Sequence, residues 1–285
     1  MSVVDLHLHT TWSDGRLSPK QLIELLVGNG LKVVALTDHD STQGLSEAFE
    51  VASLTTDLTI IPGVELSTDI PGNEIHILGY FIDYEDTDFL DILEEFRVGR
   101  IDRANRMVNK LTELGLPVKW ERVLEIAGDG AVGRPHIAQA MVEEGYITYP
   151  QEAFETYLGR NGLAYAERPR LAPEDAVRLV INAGGLPVLA HPREVENVGS
   201  LVPGLKSAGL VGIEVYYGNY TPEEVKAFAG MAAREGLIPC GGSDYHAFGT
   251  PGEVKPGTVG PSLEIVEMLF SLAKDRGIKT PELFS

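Results

Sequence analysis

The chain has 285 residues, 44% of them hydrophobic, and its 42 acidic and 23 basic side chains leave a formal net charge of −19. Such an excess of anions excludes non-specific binding to duplex nucleic acid or to an anionic membrane, but not a phosphorylated substrate, because bound cations reverse a local field. A single cysteine, Cys240, excludes an intrachain disulfide, no apolar run approaches the ~20 residues needed to span a bilayer, and MSVVDLHLHT does not read as a leader, so a reducing cytoplasm is the expected setting.

Short β-branched runs alternate with amphipathic helical patterns. Residues 2–8 (SVVDLHL) read as a strand, followed by a helix over 18–29 with Ser18 as N-cap, Pro19 in its first turn and Gly30 just past its end. A buried strand at 32–37 (KVVALT) and a helix at 43–53 follow. Residues 58–64 (LTIIPGV) and 75–82 (IHILGYFI) are further strands. The rhythm resumes with a helix at 173–184, a strand at 186–190, a helix at about 199–208, a strand at 211–215, a helix at 222–235, a strand at 237–241 and a last helix at 262–276. This alternation predicts parallel strands with crossover helices, in a barrel or an open sheet. Either architecture places reactive groups at the C-terminal ends of the strands.

Residues 89–165 interrupt the pattern. They are helix-rich, and predict an insertion between two parts of one α/β unit, 1–88 and 166–285. The insertion holds nine basic and twelve acidic residues, net −3, whereas the rest of the chain carries −16. It is therefore the natural source of cations for an anionic substrate.

Seven histidines carry the functional argument: His7, His9, His39, His76, His136, His191 and His246. Residues i and i+2 on a strand share a face, so His7 and His9 can aim at one point, as can Asp244 and His246 if the strand extends that far. Asp38 and Asp40 flank His39. An H-x-H pair, a D-H-D triplet and a D-x-H pair on separate strands converge as a metal site requires. Glu65 ends the strand IIPGVELS, where burial of a carboxylate is costly without a cation. Asp14 in WSDG, by itself, is ordinary turn chemistry, and His76 by itself is an ordinary core or surface histidine.

Together, DLHLHTTWSDG, ALTDHDS, PGVELS, AHPR and GGSDYH resemble, in order, the motifs of the polymerase and histidinol phosphatase (PHP) family, from residue 5 to residue 246. That resemblance implies a distorted (β/α)7 barrel with a helical insertion domain. It implies metal ligands at His7, His9, Asp14, His39, Glu65, His76, His191, Asp244 and His246, holding two or three divalent ions (manganese, iron or zinc). His7, His9, Glu65, His191 and Asp244 would lie nearest the reaction, with Glu65 bridging two metals. GRPHIA and YLGRNGLAY resemble the branch acting on 3′,5′-nucleotide bisphosphates and on short 5′-phosphorylated RNA. The implied partner is thus a small phosphorylated nucleotide or short single-stranded RNA. A histidinol-phosphate-type phosphomonoesterase and a metal-dependent amidohydrolase are the alternatives; the latter lacks a suitably placed bridging lysine.

Arg134 and His136, in G-R-P-H, predict a helix N-terminus that receives phosphate. Arg160 and Arg193 are further phosphate candidates. Arg97, Arg100, Arg103 and Arg106 recur every third residue and read as a solvated helix face. Tyr216 and Tyr217 suit base stacking or core packing equally.

Overall fold

A computed structural model describes residues 2–54, 58–70, 73–167, 171–250 and 252–283. Among these residues seven strands form one sheet in chain order: β1 (Val4–Asp5), β2 (Val33–Leu36), β3 (Thr59–Ile70), β4 (Asn73–Tyr80), β5 (Leu186–Leu189), β6 (Gly212–Tyr217) and β7 (Ile238–Gly242). Its two edges meet. The Leu6 amide donates to Gly241 O at 3.2 Å, the Asp244 amide to His7 O at 2.9 Å and the His9 amide to Tyr245 O at 3.1 Å, so the sheet is a nearly closed barrel. Only glycine fits at this seam, because a Cβ on Gly242 would fall on the His7 backbone and the Asp5 carboxylate.

Helices α1 (Pro19–Gly28), α2 (Gly44–Ala52), α7 (Pro173–Asn182), α8 (Val198–Ala208), α9 (Pro222–Glu235) and α10 (Leu263–Asp275) surround it. α1 starts as its sequence predicts: Ser18 Oγ accepts from the Gln21 amide, and Gln21 Oε1 accepts from the Ser18 amide. Among the described residues no helix is long and apolar enough to cross a membrane.

One expectation fails. β4 is antiparallel to both β3 and β5, while the other pairs are parallel. A parallel return needs a crossover of about a dozen residues, and only two separate Ile70 from Asn73. β3 also runs past 64 to Ile70, because Ser67, Thr68 and Asp69 pair with His76, Ile75 and Glu74. Reversal of β4 brings its N-terminal half to the rim where the parallel strands end.

Between β4 and β5 lie α3 (Thr87–Glu113), α4 (Trp120–Ala127), α5 (Arg134–Glu143), the short α6 (Pro150–Ala153) and a π-turn at Phe154–Leu158. The apolar side chains fall into three clusters. Val34, Leu36, Val64 and Ile77 pack under the surrounding helices. Val33, Ala35, Leu78, Val188 and Cys240 pack together with Val266 and Leu269 of α10. Met107, Leu111, Val123, Ile137 and Met141 form a third cluster among α3, α4 and α5. α3 belongs to two of them, since Phe89 and Leu93 near its start lie in the first.

Candidate metal centre

Glu65 stands at the middle of the barrel rim, 1% exposed. Its Oε2 lies 3.1 Å from His7 Nε2, 3.2 Å from His9 Nε2 and 3.1 Å from His39 Nδ1. Its Oε1 lies 2.7 Å from His76 Nδ1 and 3.1 Å from His191 Nε2. Asp244 Oδ1 adds contacts of 2.9 Å to His9 Nε2 and 3.2 Å to His7 Nε2. Asp14 Oδ1 lies 3.2 Å from His246 Nε2. All nine candidate ligands therefore converge, from beyond the ends of β1, β2, β5 and β7 and from within β3 and the reversed β4.

Eight of the nine fall into three overlapping groups: His7, His9, Glu65 and Asp244; His9, Asp14, His39 and His246; and His39, Glu65 and His76; His191 stands outside them, with Nε2 3.1 Å from Glu65 Oε1. Ligand atoms within each lie no more than 4.8 Å apart. Nε2 of His9, Nδ1 of His39 and Oδ1 of Asp14 are buried and, although close to the charged groups just named, make no well-directed hydrogen bond among the described residues. Polar atoms left so are costly unless something satisfies them, and mixed imidazole and carboxylate donors suit divalent transition metals. The charges point the same way. Burial works to raise the Glu65 carboxyl, yet His39, His7 and His76 hold it well below the usual carboxylate range. Burial works against charge on His246, yet Asp14 and Asp244 push it up to about 10. The pocket attracts positive charge, and protons compete with metal for its lone pairs.

A PHP domain model matches residues 5–130. The chain is 33% identical, over 89% of its length and 89% of the relative's, to a 3′,5′-nucleoside bisphosphate phosphatase of Chromobacterium violaceum. The chain belongs to the PHP family. It is also 32% identical to a 5′-3′ exoribonuclease of Haemophilus influenzae, over 85% of this chain and 89% of that one. Its fold matches that of a Bifidobacterium adolescentis protein assigned as a metal-dependent phosphoesterase, with a TM-score of 0.86, 29% identity and coverage of 97% and 96%. By this membership, and with clusters of imidazoles and carboxylates that fit metal binding, the protein is a PHP metal-dependent phosphoesterase.

The PHP centre rests on carboxylates that sequence reasoning missed. Glu214, mid-strand in β6 and fully buried, places Oε1 3.1 Å from His7 Nδ1 and accepts the His191 amide on Oε2 at 2.7 Å. It thereby turns His7 Nε2 toward the centre and secures His191, whose φ of 24° is unfavourable for a side-chain-bearing residue. Asp244 has φ 55° and receives a hydrogen bond from the Tyr217 hydroxyl at 2.7 Å. Asp38 accepts from the Thr10 amide, the Thr10 hydroxyl and the Ser13 hydroxyl, fixing the loop that carries Asp14. Burial pushes the Asp5 carboxyl up to about 7 against bonds from Ser243 and the His7 amide. The legible signal for Glu214 was an acid inside the apolar run VGIEVYY, the same signal that singled out Glu65.

A cavity opens from His39 and His76 toward the helical layer, with Arg100, Arg103 and Arg134 on its far wall. This corrects the expectation of a solvated arginine face. Arg100 and Arg103 are turned inward: Arg100 Nε donates to Asp40 Oδ2 at 2.6 Å and its NH2 to Ser67 Oγ at 2.7 Å, while Arg103 Nε donates to Ala166 O at 2.9 Å. Arg97 and Arg106 bond at the surface, to Glu94 and to the Glu167 carbonyl. Arg134 opens α5, with its NH2 2.8 Å from Glu74 Oε2 and its guanidinium over the Phe154 ring. His136 accepts the Gly133 amide on Nδ1 at 3.0 Å and faces a neighbouring cavity. Arg160 donates to Asp69 and Ile70 O, and Arg193 to Asn219, with its guanidinium over Tyr220; neither lines the arginine cavity.

Proposed function

We propose that the protein hydrolyses the 3′-phosphoester of a nucleotide that also carries a 5′-phosphate, presented as a 3′,5′-bisphosphate or at the start of a short RNA. The observation that carries this reading is the wall of three guanidiniums, Arg100, Arg103 and Arg134, one cavity's width from His39 and His76. A phosphomonoester needs charge neutralised at the reacting phosphorus only; a second cationic wall fits a second phosphate. Relatives named for bisphosphate and RNA substrates support the choice.

Two or three ions of manganese, iron or zinc would be held by the nine donors, supplying an activated water and neutralising the phosphoryl oxygens. The rest falls to the chain. Glu65, fixed between five imidazoles, holds the groups in register. Arg134 presents a guanidinium fork at the α5 N-terminus, where the helix dipole also favours an anion. Asp40 and Glu74 hold the Arg100 and Arg134 forks in place. Residues 89–165 thus act as a substrate cap over the PHP barrel, leaving the reacting phosphorus to the rim.

The test measures metals per chain and phosphate release from 3′-phosphoadenosine 5′-phosphate, histidinol phosphate and p-nitrophenyl phosphate, with and without added manganese. The bisphosphate is expected to be preferred. Preference for histidinol phosphate defeats the nucleotide reading. Arg134→Ala is expected to raise KM for the bisphosphate about 10- to 100-fold, the loss of one or two charge-assisted bonds, and to change KM for p-nitrophenyl phosphate far less. Equal effects remove Arg134 from second-phosphate recognition.

A further inference from the structure

The N-terminus of α5 divides the space above the metal centre. On one side is the arginine cavity. On the other lies a second cavity bounded by Arg16, Arg122, His136, Gln139 and Phe248, and Asp14 and Pro135 line both. The two therefore flank the same cluster of ligands.

Building on the nucleotide reading above, we infer that this second cavity binds the nucleotide on the 3′ side of the scissile phosphate when the substrate is an RNA chain. The chemistry calls for such a place. In a bisphosphate and in a 5′-phosphorylated RNA the same bond breaks: water adds to phosphorus, the P–O3′ bond cleaves, and the 3′-oxygen of the first nucleotide leaves with a proton. The phosphoryl group departs as free phosphate in one case. In the other it remains esterified to the 5′-oxygen of the next nucleotide. With the 5′-phosphate of the first nucleotide in the arginine cavity, the next nucleotide emerges from the phosphorus on the opposite side.

Three features of the second cavity match that occupant. First, a run of rings leads into it from the ligands. His9 and His246 stack at 4.1 Å with 13° between planes, and His246 and Phe248 at 5.0 Å with 14°. Phe248 ends this run beneath the Arg16 guanidinium, so a base entering here meets a joint cationic and aromatic surface, and stacking on aromatic rings accepts any base. Second, His136 is 7% exposed, and its Nδ1 accepts the Gly133 amide, so the neutral ring carries its proton on Nε2. The hydrogen bonds seen among the described residues leave that proton to the cavity, and burial, with Arg100 acting alongside it and Asp14 against it, holds the ring below its ordinary value. Third, Arg16 is exposed, with its guanidinium over Phe248 and its NH2 on Gln139 Oε1 at 2.5 Å. Among the described residues lining this cavity, it is the cation available to a phosphodiester. Arg122 is already bound to Glu143 through two nitrogens, at 2.7 and 3.0 Å, which also neutralises the acid that would repel RNA.

The experiment compares 3′-phosphoadenosine 5′-phosphate with the 5′-phosphorylated dinucleotide pApA on manganese-loaded protein. The variants are Arg16→Ala with Gln139→Ala, and separately Phe248→Leu, with metal content and Tm measured for each. The ratio of kcat/KM for pApA to that for the bisphosphate is expected to fall about 10-fold or more in each, through KM for pApA. An unchanged ratio overturns the inference. So does a wild-type enzyme that hydrolyses the bisphosphate but not pApA. Failure on both substrates with metals bound would instead sink the nucleotide reading.

Discussion

Glu214→Gln isolates one carboxylate from the metal centre without changing its volume. Glu214 uses both oxygens, one toward His7 Nδ1 at 3.1 Å and one on the His191 amide at 2.7 Å, in a place with no exposure to solvent. A glutamine offers one acceptor and one donor. Whichever way the amide turns, its NH2 group meets either the His7 Nδ1 proton or the His191 N–H, donor against donor. A lost partner of this kind behind a metal ligand costs about 10- to 100-fold in metal affinity, or about 1.4–2.7 kcal/mol. Part of that loss also lifts the restraint on the His191 backbone at φ 24°. Competition with a coloured chelator gives the affinities for manganese and zinc, and elemental analysis the ions per chain. Tm in EDTA separates metal loss from a fold defect, since a purely structural role would lower Tm equally with and without metal. Wild-type affinity and stoichiometry in Glu214→Gln would refute the reasoning.

Removing metal from the wild type is expected to lower Tm by about 10 °C where ions are present at about 1,000 times their Kd, a linkage worth about 4 kcal/mol; an unchanged Tm in EDTA contradicts the reading of the nine donors as a metal site. His136 is held neutral in the fold by burial, with its ordinary value lowered, so between that value and about 6.5 the unfolded chain binds more protons and stability falls on acidification. His136→Gln keeps an acceptor for the Gly133 amide but does not titrate; from pH 7.5 to 5.5 its Tm is expected to fall less than that of the wild type, and parallel curves would disprove the assignment. Burial, with Glu214 nearby, pushes the Cys240 thiol far above its ordinary value, so native protein is expected to resist Ellman's reagent over hours while denatured protein reacts with one thiol; rapid native reaction would show that the barrel interior opens.

Much of this was legible in the sequence because it rests on short periods. The i, i+2 pair His7/His9 announces a shared target, as does Asp244/His246 although β7 ends at Gly242, and an apolar run marked the position of every strand, with β3 extending six residues beyond its run. What was not legible depends on pairing between distant segments. The run at 75–82 reads as a strand in either direction, and only its short link to Ile70 decides for antiparallel. The arginines fail for a geometric reason. Steps of three along a helix turn by about 300°, so four of them fan over half its circumference. Nothing in the spacing tells which pair faces the barrel mouth. Packing of Phe89 and Leu93 at one end and Met107 and Leu111 at the other selects Arg100 and Arg103.

α3 is one uninterrupted helix of 27 residues, about 40 Å long, anchored in separate apolar clusters at its two ends. Its middle is therefore a phase-setting shaft. One residue inserted between Phe96 and Arg100 would rotate everything beyond it by about 100°. The guanidiniums would leave the cavity while the rim ligands stayed where they are. Over generations, such insertions and deletions offer this architecture a way to change which anion it admits without touching the chemistry at the rim.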